Sequence, residues 1–164
     1  MPISNWEKTI EERLPLFGHR NWVVVADAAY PAQSRHGIET ITSGASQQEA
    51  VEKVLKLVCD CRHIRPIIYV DRELDFIDEK DAPGADSYRR WLKAALAEHG
   101  ISTMPHDDII AKLDQAAQMF SVLILKTTMT IPYTTVFFEL DCGYWNAQSE
   151  TQLRTAMKRL EAKR

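Results

Sequence analysis

Residues 22 to 26 read Trp-Val-Val-Val-Ala and are followed at once by Asp27. A run this short and continuously apolar fits a strand covered on both faces, since a half-covered strand would alternate apolar and polar positions. Strands of that kind belong to sheets with helices above and below. Asp27 adds a second constraint. A carboxylate at the carboxyl end of a central α/β strand points into the crevice where such folds bind ligands. The same side chain could instead cap the turn that leads to Tyr30-Pro31.

Ser121 to Lys126 is another continuous apolar run, and Ile67 to Val70 follows Pro66 as a third. Thr134 to Leu140, with Phe137 and Phe138, reads as a fourth strand. A brief strand or an extended loop is expected around Ile38 and Ile41, and a short strand over Ile101 to Met104. Between these runs the apolar spacing becomes helical. Trp6, Ile10 and Leu14 share a face of a helix that Pro15 and Gly18 end. Ser46 and Glu49 form a capping box before Ala50, Val51, Val54, Leu55 and Val58. Tyr88 to His99 presents Trp91, Leu92, Ala95 and Leu96, with Gly100 as its stop. Pro105 opens a helix through Met119, with Asp107 and Asp108 at its positive end. Ser149 and Gln152 resemble a second capping box before Leu153, Met157 and Leu160. Asp71 to Asp86 is acidic and reads as a solvated surface loop. The alternation predicts an α/β fold, a three-layer α/β/α sandwich around a mainly parallel, mixed sheet. Residues 1–148 are expected to form that domain and 149–164 a helical extension.

The length of 164 residues suits one domain with one substantial core. A net charge of −3 argues against general nucleic-acid binding, which calls for a basic surface. No apolar run reaches membrane-spanning length, and the N-terminus lacks the apolar core of a signal peptide. Three cysteines, Cys59, Cys61 and Cys142, make no disulfide framework, so free thiols and a cytoplasmic setting are expected. Cys59-Asp60-Cys61-Arg62-His63 has no partner pair for a metal. The acidic stretch lacks the glycine turn of a calcium loop. Neither a Gly-x-Ser-x-Gly motif nor a phosphate-binding glycine loop occurs.

Gly18-His19, the Val-rich run, Asp27-Ala28 and Pro31 together resemble the signature of the ribose pyranase and fucose mutarotase family, Pro31-Ala32-Gln33-Ser34 being closer to the fucose branch. Ser121–Lys126 and Ile131-Pro132-Tyr133 resemble that family's closing strand pair. The resemblance implies a cofactor- and metal-independent isomerase that interconverts ring or anomeric forms of a free monosaccharide. It also implies homo-oligomeric rings, commonly decamers, with sites near subunit contacts. His19 matches the family's proton donor. Asp27, His106 and Tyr133 match sugar-binding positions. Thr135 stands where the family usually has asparagine, and offers one hydroxyl in place of an amide. Thr127-Thr128-Met129-Thr130 replaces a loop that carries glycine and glutamate, or arginine, in the family. A non-catalytic sugar-binding or scaffold protein on the same fold is the rival reading.

Ring interconversion moves two protons. One leaves the anomeric hydroxyl, another arrives at the ring oxygen, and the bond between that oxygen and the anomeric carbon opens to the aldehyde. Re-closure gives the other anomer or ring size. Imidazole suits this work because both of its forms coexist near neutrality. A neighbouring carboxylate can hold the sugar or stabilise imidazolium.

Overall fold

The computed structural model describes residues 5–164. The element order is helix α1 (Trp6–Arg13) with a 3₁₀ turn (Leu14–Leu16), β1 (Trp22–Ala26), β2 (Ile38–Thr42), α2 (Gln47–Cys59) and β3 (Ile64–Asp71). After a second 3₁₀ turn (Arg72–Phe76) come α3 (Ala85–Ala95), β4 (Ile101–Met104), α4 (His106–Ala116), β5 (Val122–Lys126), β6 (Val136–Cys142) and α5 (Ala147–Glu161).

The six strands form one sheet in the order β2-β5-β1-β6-β3-β4. β1 runs parallel to β5, β5 to β2, and β3 to β4. β6 is antiparallel to both neighbours, β1 and β3. Every residue of β1 is buried, as its continuous apolar run requires. Alternate side chains serve two cores. Val23, Val25, Leu123, Leu125, Val136 and Phe138 pack with Ile10 of α1, Val54 of α2 and Leu92 of α3. Trp22, Val24, Ile124 and Phe137 pack with Ile109 and Leu113 of α4 and with Tyr30. The sheet therefore lies between α1–α3 on one side and α4 on the other, the three-layer α/β/α sandwich expected from the alternation.

Several boundaries differ from expectation, each for a local reason. β3 begins at Ile64 and contains Pro66, which pairs with Leu140. β4 joins only from Ile68, so Pro66 lies where β3 has one neighbour and a missing N–H is tolerated. α3 starts at Ala85 because Gly84 takes a left-handed φ of 98° and the Glu79 carboxylate accepts the free N–H groups of Gly84 and Asp86. Thr134 and Thr135 precede β6 instead of opening it. The Thr134 carbonyl accepts from Gln47 Nε2 at 2.9 Å and from Tyr88 Oη at 2.7 Å, which takes it out of the ladder. At α5, Asn146 supplies the N-cap by accepting from Ser149 N at 2.7 Å, so the helix opens before Ser149. Ser46 caps α2 as its sequence suggests, accepting from Glu49 N at 3.2 Å.

Candidate functional site

Three neighbouring strands have ends on the same side of the sheet, along the strand direction. β1 and β3 both finish there, and β6 starts there between them. The register pairs Val25 and Val70 with Val136. Continued by one residue, it sets Thr135 between Ala26 and Asp71. Asp27 and Asp71 thus close two strands of the same direction on either side of one threonine. The carboxyl ends of such strands are where α/β folds bind ligands.

Asp27 accepts from the Thr135 hydroxyl at 3.1 Å and from Ala29 N at 3.2 Å. The turn-capping and site readings of Asp27 are therefore compatible, since one oxygen holds the turn and the other faces Thr135. Thr135 is only 1% exposed, so its hydroxyl acts by holding Asp27. The buried Gln47 stiffens the same region. Its amide donates to Val25 O at 3.1 Å, and its Oε1 accepts from Thr127 Oγ1 at 2.7 Å. Thr127 is committed to this network, so the 127–130 loop offers structure at its first residue.

His106 opens α4 behind Pro105. Its backbone N–H donates to both oxygens of Glu73 at 3.0 Å. Its Nδ1 lies 2.9 Å from Asp71 Oδ1, so Nε2 is the ring nitrogen left for another partner. Asp71 is 1% exposed, and its Oδ2 has no hydrogen-bond partner among the described residues. Tyr133 meets the His106 ring edge-on at a centroid distance of 5.5 Å, and Tyr30 meets it edge-on at 6.3 Å. Tyr133 is 37% exposed and holds a φ of 59°, a left-handed conformation that is uncommon for a side chain of its size. Asp27, His106 and Tyr133, each at least partly exposed, thus form a shelf over the buried Thr135 and Asp71.

Charge on the shelf is set by burial and by the imidazole. Burial pushes the Asp71 carboxyl above the usual carboxylate range, with the His106 hydrogen bond opposing it. That hydrogen bond raises the His106 pKa, burial working the other way. Burial, with Asp71 and Asp27 nearby, raises the Tyr30 phenol and keeps it neutral. Because the His106 pKa is higher folded than unfolded, its contribution to stability is complete below the unfolded value near 6.5 and is lost as pH rises through the folded value. Urea unfolding at pH 5.5 and pH 8.5 is expected to show wild type losing stability relative to His106→Gln at the higher pH. Parallel behaviour of the two proteins would contradict the assignment.

His19 lies elsewhere. It sits in the turn before β1, where Asn21 N donates to Gly18 O, and its Nδ1 lies 3.0 Å from Asp141 Oδ1 near the end of β6. Asp141 also accepts from Arg65 Nη2 at 2.7 Å. β1 alone separates the His19 turn from Asp27 by about 13 Å at 3.3 Å per residue. One chain therefore gathers Asp27, His106, Tyr133 and Thr135, and keeps His19 at the opposite end of β1. Asp71, Glu73 and Tyr30 were not singled out as site residues in the sequence. The acidic composition of 71–86 hides Asp71, whose position directly after Ile67–Val70 is the available signal.

Neither the family models nor the curated proteins contain a match to this sequence. Solved structures do match. The ribose-bound RbsD of Bacillus subtilis superposes with a TM-score of 0.59 at 14% identity, over 86% of this chain and 94% of that one. The fold is that of RbsD and FucU. The fucose mutarotase of Streptococcus pneumoniae in complex with L-fucose gives 0.56 at 18% identity, over 85% and 93% of the two chains. FucU from Bifidobacterium longum gives 0.56 at 14% identity, over 82% and 94%. Among the described residues, no helix is long and apolar enough to cross a membrane.

Proposed function

We propose that this chain is an isomerase, a cofactor-independent mutarotase or pyranase acting on a free ribose- or fucose-like monosaccharide. The observation that carries this reading is the shelf of Asp27, Asp71, His106 and Tyr133 at the ends of β1 and β3. It occurs on a fold whose solved examples include complexes with D-ribose and L-fucose.

Asp27, oriented by Thr135 and by Ala29 N, accepts hydrogen bonds from sugar hydroxyls. Tyr133 lends a ring face and a phenol. His106, held through Nδ1 by Asp71, exchanges a proton at Nε2. His19 is a second imidazole held at Nδ1 by an aspartate, and in this reading it enters the shelf of a neighbouring copy. Two imidazoles then serve as acid and base. One takes the anomeric hydroxyl proton while the other protonates the ring oxygen, the bond from that oxygen to the anomeric carbon breaks, and the proton movements reverse on closure. General acid–base help of about 10²–10⁴-fold is sufficient, because the uncatalysed reaction already proceeds in water. A second reading, a sugar binder without catalysis, is favoured by one observation. The Thr135 hydroxyl is already engaged by Asp27, so this position offers less to a ligand than an amide would.

Saturation-transfer proton NMR on the anomeric signals of ribose, fucose and related aldoses tests the choice. Faster exchange with wild type that disappears in His19→Ala is the expected result. Saturable binding with exchange at the water rate would establish the binder instead.

A further inference from the structure

Helix α5 is fifteen residues long, about 22 Å at 1.5 Å per residue, and none of its residues is buried. Isolated helices of this length are marginal in water. Its sequence nevertheless has an ordered pattern. Leu153, Met157 and Leu160 recur at spacings of four and three and stay exposed along one stripe. Arg154 and Lys158 flank that stripe on one side, Arg159 and Lys163 on the other. Arg154 is tied to Glu150, whereas Lys158, Arg159, Lys163 and Arg164 have no ion-pair partner among the described residues. Residues 147–164 hold five basic and two acidic side chains, a charge of +3, which leaves −6 on the rest of a chain whose net charge is −3.

The complementary surface is on the same molecule at its other end. Residues 71–86 hold seven carboxylates against two basic side chains. Asp75, Asp78, Glu79, Asp81 and Asp86 are exposed there. Phe76 stands among them 81% exposed, an aromatic ring with no cover. This segment leaves the end of β3. α5 follows the end of β6, which is antiparallel to β3, and its first turns share a cleft of about 660 Å³ with His19 and Arg65. The two surfaces therefore lie at opposite ends of the strands.

We propose that α5 docks on the 72–86 segment of a second copy of this chain, its apolar stripe against Phe76 and its Lys and Arg side chains against the carboxylates. The contact is heterologous, joining the β6 end of one copy to the β3 end of the next, and such contacts close into rings when the rotation allows. An α5–α5 pair is less favourable, because it brings basic helices together. An anionic membrane would attract α5 but repel the −6 body. The proposal does not rest on sugar chemistry, although the same contact carries the His19 end of one copy toward the Asp71 end of its neighbour.

Carbodiimide cross-linking of mixed ¹⁴N- and ¹⁵N-labelled protein joins lysines to contacting carboxylates. Bridges from Lys158 or Lys163 of one label to Asp75, Asp78, Glu79 or Asp81 of the other are expected. The triple variant Lys158→Glu/Arg159→Glu/Lys163→Glu should weaken association at least about tenfold in sedimentation velocity. Asp75→Lys/Asp78→Lys/Asp81→Lys should do the same, and mixing the two variants should restore it. All six positions are exposed, and the one local hydrogen bond at stake among the described residues is the turn in which Asp78 accepts from Lys80 N at 2.9 Å. Absence of inter-label bridges overturns the proposal. Sensitivity to the α5 variant alone overturns it in favour of α5 pairing. Unchanged association with α5-dependent binding to phosphatidylserine vesicles overturns it in favour of a membrane.

Discussion

His106→Ala is expected to lower accelerated anomeric exchange by about 10²–10⁴-fold on any sugar that the wild-type protein turns over, the range typical of a lost acid–base group. The imidazole is partly exposed and opens a helix whose other contacts remain, so the variant should fold. Asp71→Asn gives a sharper reading, because it keeps the ring and removes the carboxylate that raises its pKa. The limb of the pH–rate profile that reports His106 should then move to lower pH. Exchange that is unchanged in His106→Ala would remove the imidazole from the chemistry and leave the shelf a binding surface. A profile unmoved in Asp71→Asn would reduce Asp71 to a packing role.

Phe137→Ala is expected to lower unfolding free energy by about 3–5 kcal/mol, the usual cost of deleting a buried aromatic side chain. Phe137 is fully buried in β6, opposite Val24 on one side and Tyr69 on the other, and its ring meets Tyr30 edge-on at 6.4 Å. Few domains have more than about 5–15 kcal/mol to lose, so the effect should be plain in urea titration. Tyr30 should loosen with it, since the two rings share one core beside Asp27. A cost below about 1 kcal/mol would mean that α4 collapses into the space.

Much of this was legible from residue order. The continuous runs at 22–26 and 121–126 announced strands with both faces covered, and burial by helices on either side followed. Asp27 was legible because it closes such a run. Asp71 was not, although it closes β3 in the same way. Its acidic neighbours Glu73, Asp75 and Asp78 gave the segment the composition of a surface loop, and only the fold places its carboxylate under His106. Tyr133 and His106 are 27 residues apart, and nothing local to either reports their contact. His19 shows the converse. The resemblance puts it in one site with Asp27, but within one chain the extended strand β1 keeps the two apart.

The place of β6 has a consequence for how the chain reaches this state. The strand lies between β1 and β3, yet it is the last strand synthesised. Until residues 136–142 leave the ribosome, β1 and β3 each keep an open edge of unpaired backbone groups, a template for pairing with other chains. Closing the sheet joins Val25 to Val136 across more than a hundred residues, and long-range pairings of that kind fold slowly. The nascent chain is therefore most prone to misassociation just before its sixth strand arrives. Truncation ahead of residue 136 would leave two half-sheets with nothing between them.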